Sequence, residues 1–240
     1  MKQLLKTNVL PLGAAILGII GCALRWLLYA VATDQKNLIP LGHPLEIGLW
    51  LVTAAAALLI LFSVWKLRNA HRGDDRFQKN IPAAAGSGFM ALCILIAVLG
   101  DGLNLSGLAL VRDLLGVLSA VALAVIAMNR CQGRRPFFLL HGLVCVFFAV
   151  HGVSCYRGWS CNPQMMDYVF TLFANTGLML FAFYHGCLEV DMGKLRMLPG
   201  VGLLTAYCCA VALSGGEYAL IYLGGALWTL TNLLGLHTGE

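Results

Sequence analysis

The sequence predicts an all-α, polytopic membrane helix bundle of about eight transmembrane helices, with no soluble domain. Mean hydropathy is +0.82, and charged residues make up only 11% of the chain, against about a quarter in soluble domains. Eight apolar stretches are long enough to approach a bilayer span of about 20 residues. Backbone polar groups in lipid must be satisfied within each segment, so the spans should be helices. Residues 1–240 are therefore predicted to form a single integral membrane domain.

The first four spans are predicted at roughly 9–32, 44–65, 81–100 and 106–128. The first follows two lysines and ends near Arg25 and an aromatic pair, which favours a retained helix over a cleaved secretory signal. Pro44 and Pro82 stand at the starts of the second and third, where a missing N–H costs little.

The last four spans are predicted at roughly 136–155, 164–190, 196–213 and 217–236. Prolines again lie at or near three of the starts. The loop before the last span carries no basic residue, so it does not decide between seven and eight spans.

Basic residues alternate between the connections, because cytoplasmic loops retain Lys and Arg. With the N-terminus inside, the inner side receives 12 of the 16 basic residues. Both termini are therefore predicted to be cytoplasmic, in a plasma or cytoplasmic membrane. The net charge of +5 is explained by this topology, so no nucleic-acid partner is predicted. The basic inner loop at 66–79 indicates attraction to anionic lipid of the bilayer or docking of a protein partner.

The sixth span carries a polar stripe at helical spacing, continued through Leu178 and Ala182, which lies within an arc of roughly 80°. Its polar members are Asp167, Thr171, Asn175, His185 and Glu189. Such groups are expensive in lipid, so this face should look into protein or water, as the path of a small polar solute or cation would. The alternative is that the end residues are solvated and the others are hydrogen-bonded packing residues.

A second face, on the eighth span, has the same character. Tyr218, Tyr222, Gly225, Thr229 and Asn232 follow helical spacing there. The two faces are predicted to meet around a cavity whose hydrogen-bonding groups suit a small polar solute. The competing interpretation is that these side chains only hold helices together.

Several charged residues fall near the predicted outer boundary: Arg25, Glu46, Asp101, Arg112 and Asp113. They form a predicted outer charge network, either a site for an anion or zwitterion or a latch that locks the bundle. Because adjacent residues on a helix point about 100° apart, Arg112 and Asp113 are expected to have different partners.

Cys155 and Cys161 share a predicted outer loop, where a disulfide is possible, with reduced thiols as the alternative. His141 and His151 of the fifth span lie about 15 Å apart along a helix axis, too far to share one ion, and no metal-binding motif occurs. No metal and no cofactor are therefore predicted.

No phosphate-binding loop, dinucleotide fingerprint or nucleophile elbow is present, so no catalytic residue is predicted and an intramembrane enzyme is the least favoured class. The first hypothesis is a small-solute or ion transporter, or the membrane subunit of one. A non-catalytic membrane sensor or scaffold is the alternative.

Overall fold

The computed structural model describes residues 9–32, 42–66, 79–100, 107–134, 137–160, 168–190, 197–216 and 218–234. These residues form eight α-helices and one short 3-10 turn, with no strand among them. The helices are α1 (Val9–Ala32), α2 (Pro44–Lys66), α3 (Ile81–Gly100), α4 (Gly107–Gln132), α5 (Phe138–Trp159), α6 (Val169–Glu189), α7 (Met197–Ala212) and α8 (Ala219–Leu234). The predicted all-α membrane bundle is thereby confirmed.

Within the described ranges, seven helical segments are long and apolar enough to cross a membrane. The protein is accordingly a multi-pass integral membrane protein. The eighth helix, α8, has 16 residues, which give about 24 Å of length. The observed helices begin and end within about five residues of the predicted spans. The largest differences are at the start of α6 and at the ends of α4 and α5, which continue to Gln132 and Trp159.

Six helices close into a ring. Each of α3 to α8 packs on the next along the chain, and α8 returns to pack on α3. Outside the ring, α1 and α2 pack on each other and on α7. Because α7 belongs to both groups, it is the most completely buried of the seven long segments.

Glycines permit the contact that closes the ring between α3 and α8. A Cβ added to Gly224 of α8 would lie 2.7 Å from the Met90 sulfur and 2.9 Å from Cβ of Cys93 on α3. Small residues allow membrane helices to approach this closely. The two ends of the bundle are named here after α4, which carries Arg112 near its start and Arg130 near its end.

Candidate functional site

The helices α6 and α8 run parallel and in register through the ring. The Asn175 side-chain amide donates a hydrogen bond of 3.2 Å to the Tyr222 hydroxyl. Nearer the Arg130 end, His185 Nε2 lies 3.1 Å from Asn232 Oδ1. Both pairs join residues 47 apart in the sequence, so the polar faces expected on these two helices meet residue against residue.

An apolar layer separates the two hydrogen-bonded pairs. Leu178 is fully buried, and a Cβ added to Gly225 would lie 2.8 Å from its Cδ2 atom. One turn further on, Phe181 meets Trp228 edge to face, with ring centroids 5.0 Å apart. The expectation of a cavity between the two faces is therefore wrong for the layer around Leu178 and Gly225, because close packing there leaves no room for a solute.

At the Arg112 end, polar groups from α4, from α5 and from the residue before α8 surround a small cavity. Arg112 pairs with Asp113 at 2.8 Å and donates a hydrogen bond of 3.1 Å to the Tyr218 hydroxyl. His151 of α5 touches the Tyr218 ring edge-on, with centroids 4.8 Å apart. The cavity that these four side chains line has a volume of about 10 Å³, room for roughly one water molecule.

The pairing of Arg112 with Asp113 corrects the expectation that these neighbours have different partners. Their Cα–Cβ bonds do point apart, but the long Arg112 side chain turns back, so that Nε reaches the carboxylate. Asp113 is only 1% exposed. A charge buried this deeply is stabilised by a close opposite charge, which outweighs the preference for neighbours to face different directions.

Tyr218 holds an uncommon backbone conformation. Its φ of 54° lies in the left-handed region, where residues other than glycine are seldom found. Such strain persists where surrounding contacts hold it, and here the hydroxyl is held by Arg112 and the ring by His151. The start of α8 is thus fixed against α4 and α5.

At the Arg130 end, a second polar cluster joins α4, α5, α6 and α8. The Arg130 guanidinium forms an ion pair with Glu189. His185 lies beside this pair, its Nδ1 atom 3.7 Å from Glu189 Oε1. The His141 ring of α5 stacks on the His185 ring at a centroid distance of 4.9 Å. With Asn232 bonded to His185, five polar side chains form one buried or half-buried group.

No family model, curated protein or solved structure matches this chain.

The remaining predicted residues lie apart from the two clusters or outside the described residues. The Thr229 hydroxyl donates a hydrogen bond to the Gly225 carbonyl of its own helix. Thr171 is buried on the face of α6 that carries Asn175. Glu46 accepts a hydrogen bond from the Gly42 amide at the start of α2. Three predicted residues, Asp101, Asp167 and Cys161, lie outside the described residues, so the disulfide between Cys155 and Cys161 stays a prediction.

Arg25 is held by a third set of groups rather than by the residues around Arg112. It is buried and donates to the Val211 carbonyl at 3.2 Å and to the Tyr29 hydroxyl at 2.9 Å. Its guanidinium also lies 5.5 Å from the centre of the Phe170 ring. Among the described residues, Arg25 therefore ties α1 to α6 and α7, outside the cavity.

Two members of the Arg130 cluster were not among the predicted site residues. Arg130 counts in the sequence only as one of many basic residues near a helix end. The sequence places His141 on one helix with His151, whereas its ring stacks on that of His185 in the next helix. Consecutive spans cross the membrane in opposite directions, so positions 130, 141 and 185–189 lie at the same end of the bundle. That alternation could have predicted both residues.

Proposed function

We propose that this protein transports a small polar solute or an ion through the interior of the six-helix ring. The observation that carries the proposal is the distribution of buried polar groups. Ionisable clusters lie inside the ring at both ends, and the helices α4 and α5 contribute side chains to both. Ionisable groups within membrane spans are costly and characteristically mark solute or ion paths.

The cluster at the Arg112 end offers groups that suit the entrance of a solute path. It offers a cation, an anion, an imidazole and a hydroxyl around a cavity that already has room for a water molecule. Groups of both signs suit a small polar solute or a hydrated ion better than an apolar one, because they can replace its hydration.

The layer at Leu178 and Gly225 has the character of a closed barrier. A solute passing between the clusters requires α8 to separate from α6 at this level. Gly224 and Gly225 are adjacent here, and glycine weakens a helix locally because it restricts the backbone least. Transport would then alternate between opening toward one end and opening toward the other, with this layer resealing in between.

Charge movement in proteoliposomes tests the proposal. Solid-supported membrane recordings would be made with a defined panel of protons, Na⁺, K⁺, amino acids and small carboxylates. We expect a transient current with at least one member. Asn175→Leu and Glu189→Gln should reduce it at least tenfold, because each removes a polar group from the interior of the ring.

Arg157→Gln is the matched control. Arg157 is exposed at the same end as Arg112, so this variant replaces a charged side chain by an amide outside the ring and should retain the current. A folded, reconstituted wild-type protein that gives neither a current nor uptake of any radiolabelled panel member contradicts the proposal. So does an equal loss of current in Arg157→Gln and Asn175→Leu.

A sensor or scaffold remains the second candidate, and one observation favours it. The α6 and α8 faces are joined by direct side-chain contacts, which also serve to fix helix register. This function predicts no current and a protein partner that co-purifies with the wild type. The partner should be lost when the basic residues in the 66–79 loop are replaced by Gln.

A further inference from the structure

We infer that His141, His185 and Glu189 form a binding site for a divalent transition-metal ion. One possible ligand atom from each of these side chains lies within 4.8 Å of the other two. All three residues are buried, with 1%, 7% and 6% of their surfaces exposed. The inference stands on these side chains and holds whether or not the protein transports a solute.

Hydrogen bonding determines which His185 nitrogen is available as a ligand. Asn232 donates its Nδ2 to the Trp228 carbonyl at 2.8 Å, so its Oδ1 is left to accept. His185 Nε2, 3.1 Å from that oxygen, must then carry the proton. Arg130 Nη2 also approaches Nε2, but its 3.5 Å distance is too long to compete. The Nδ1 atom therefore presents a lone pair.

That lone pair faces another acceptor. His185 Nδ1 has no hydrogen-bond partner among the described residues and lies 3.7 Å from Glu189 Oε1. Two acceptors turned toward each other in a buried site repel unless a cation lies between them. Metal-bound histidines show this same arrangement, with the second ring nitrogen donating to an oxygen such as that of Asn232.

His141 supplies the third ligand from a neighbouring helix. Its Nδ1 atom is buried and has no hydrogen-bond partner among the described residues. Gly186 makes the approach possible, because a Cβ there would lie 2.9 Å from Cβ of His141. The α6 backbone thus admits the imidazole beside His185 and Glu189.

Two imidazoles and one carboxylate are a ligand set for zinc and related divalent ions, with further positions left for water. Ligand atoms around a tetrahedral ion stand about 3.4 Å apart, since each bond is about 2.1 Å. The side chains therefore have to close by up to about 1.4 Å, and one of the two stacked imidazoles has to turn so that both lone pairs meet the ion. Arg130 keeps the Glu189 carboxylate oriented, while its positive charge opposes the ion. This balance favours an exchangeable ion over a permanently held one.

Metal binding to the purified protein in detergent tests the inference. After treatment with EDTA and dialysis, calorimetry with Zn²⁺ should give one site per chain. His141→Phe and His185→Phe should each weaken binding at least tenfold. His151→Phe is the matched control, since His151 is a buried histidine of the same helix as His141, and it should bind as the wild type does.

Asn232→Leu gives a separate test, because Asn232 orients a ligand without being one. Removing such an orienting partner characteristically lowers metal affinity by about 10- to 100-fold. Asn232→Asp, which keeps the accepting oxygen, should restore binding. Circular dichroism and gel filtration establish that each variant is folded.

Co²⁺ bound to the wild type supplies a readout that needs no variant. Visible absorption bands of nitrogen and oxygen ligation are expected, without a thiolate charge-transfer band. Three results would overturn the site: no Zn²⁺ binding by the folded wild type, a thiolate band that assigns the ion to cysteines, or equal loss of binding in the His151 and His141 variants.

Discussion

Single residues show how this protein carries charge inside a membrane bundle. Arg112 pairs with Asp113, and Arg130 pairs with Glu189, so both guanidinium groups of the two clusters have an adjacent carboxylate. Pairing is required because an isolated buried charge costs several kcal/mol. The buried uncharged groups are also paired: the Asn175 amide donates to the Tyr222 hydroxyl, and the His185 imidazole bonds to the Asn232 amide oxygen.

The effects of substituting Arg130 and Glu189 on the free energy of unfolding should be strongly coupled, because the two side chains form an ion pair. We expect Arg130→Gln and Glu189→Gln each to lower the free energy of unfolding by about 3–5 kcal/mol, since each leaves a charge without its opposite. The double variant should lose clearly less than the two single losses combined. SDS titration of the protein in mixed micelles, followed by circular dichroism, measures these differences. Losses that add within about 0.5 kcal/mol would show that the two groups are independent.

The sequence predicted part of the polar interior at this scale. Asn175, His185 and Glu189 share one face by helical periodicity alone, which any regular helix obeys. His141 and Arg130 could not be added in that way, because their positions depend on how α4 and α5 are rotated against α6. Periodicity within one helix carries no information on that rotation.

At the scale of elements, helix bounds followed from hydropathy because the bilayer sets the length of an apolar segment. The neighbour of each helix was only partly predictable. Consecutive helices usually pack together, but the contact between α3 and α8 joins the first and last members of the ring. Gly86 and Gly224 permit that contact, whereas in the sequence they indicate only close packing with an unspecified helix.

A glycine comparison tests the α3–α8 contact. Gly224→Ala places a Cβ against Cys93 and Met90 and should destabilise the protein by about 1–3 kcal/mol through overpacking. Gly142→Ala on α5 meets no atom within 4 Å, and it should be neutral or stabilising because alanine favours helix. Thermal unfolding in detergent, followed by circular dichroism, compares the two. A Gly224→Ala variant as stable as Gly142→Ala would contradict the close approach of α3 and α8.

The whole molecule combines a closed ring with a peripheral pair of helices. Only 28% of the first span and 22% of the second are buried, against 67% of the segment containing α7. The exposed side chains of α1 and α2 are mainly apolar, including Trp26, Leu51 and Trp65, as expected for surfaces that face lipid. The polar groups of the site are kept inside the ring, where helices on all sides separate them from lipid.

Membrane orientation is the remaining whole-molecule expectation, and it depends on α8. The Arg130 end should be cytoplasmic, because the basic residues collect in the connections at that end. Although α8 has only 16 residues, it lies parallel to α6 over the distance between the Asn175 and His185 pairs. We therefore expect α8 to cross the bilayer, with local thinning relieving the mismatch in length.

Green fluorescent protein fused after Glu240 should be fluorescent, and alkaline phosphatase inserted after Gly216 should be active. Expression of each fusion in bacterial cells, normalised to its membrane level, gives the comparison. A dark C-terminal fusion beside an active Gly216 insertion would show that α8 does not cross, whereas reversal of both signals would show that the bundle is inverted.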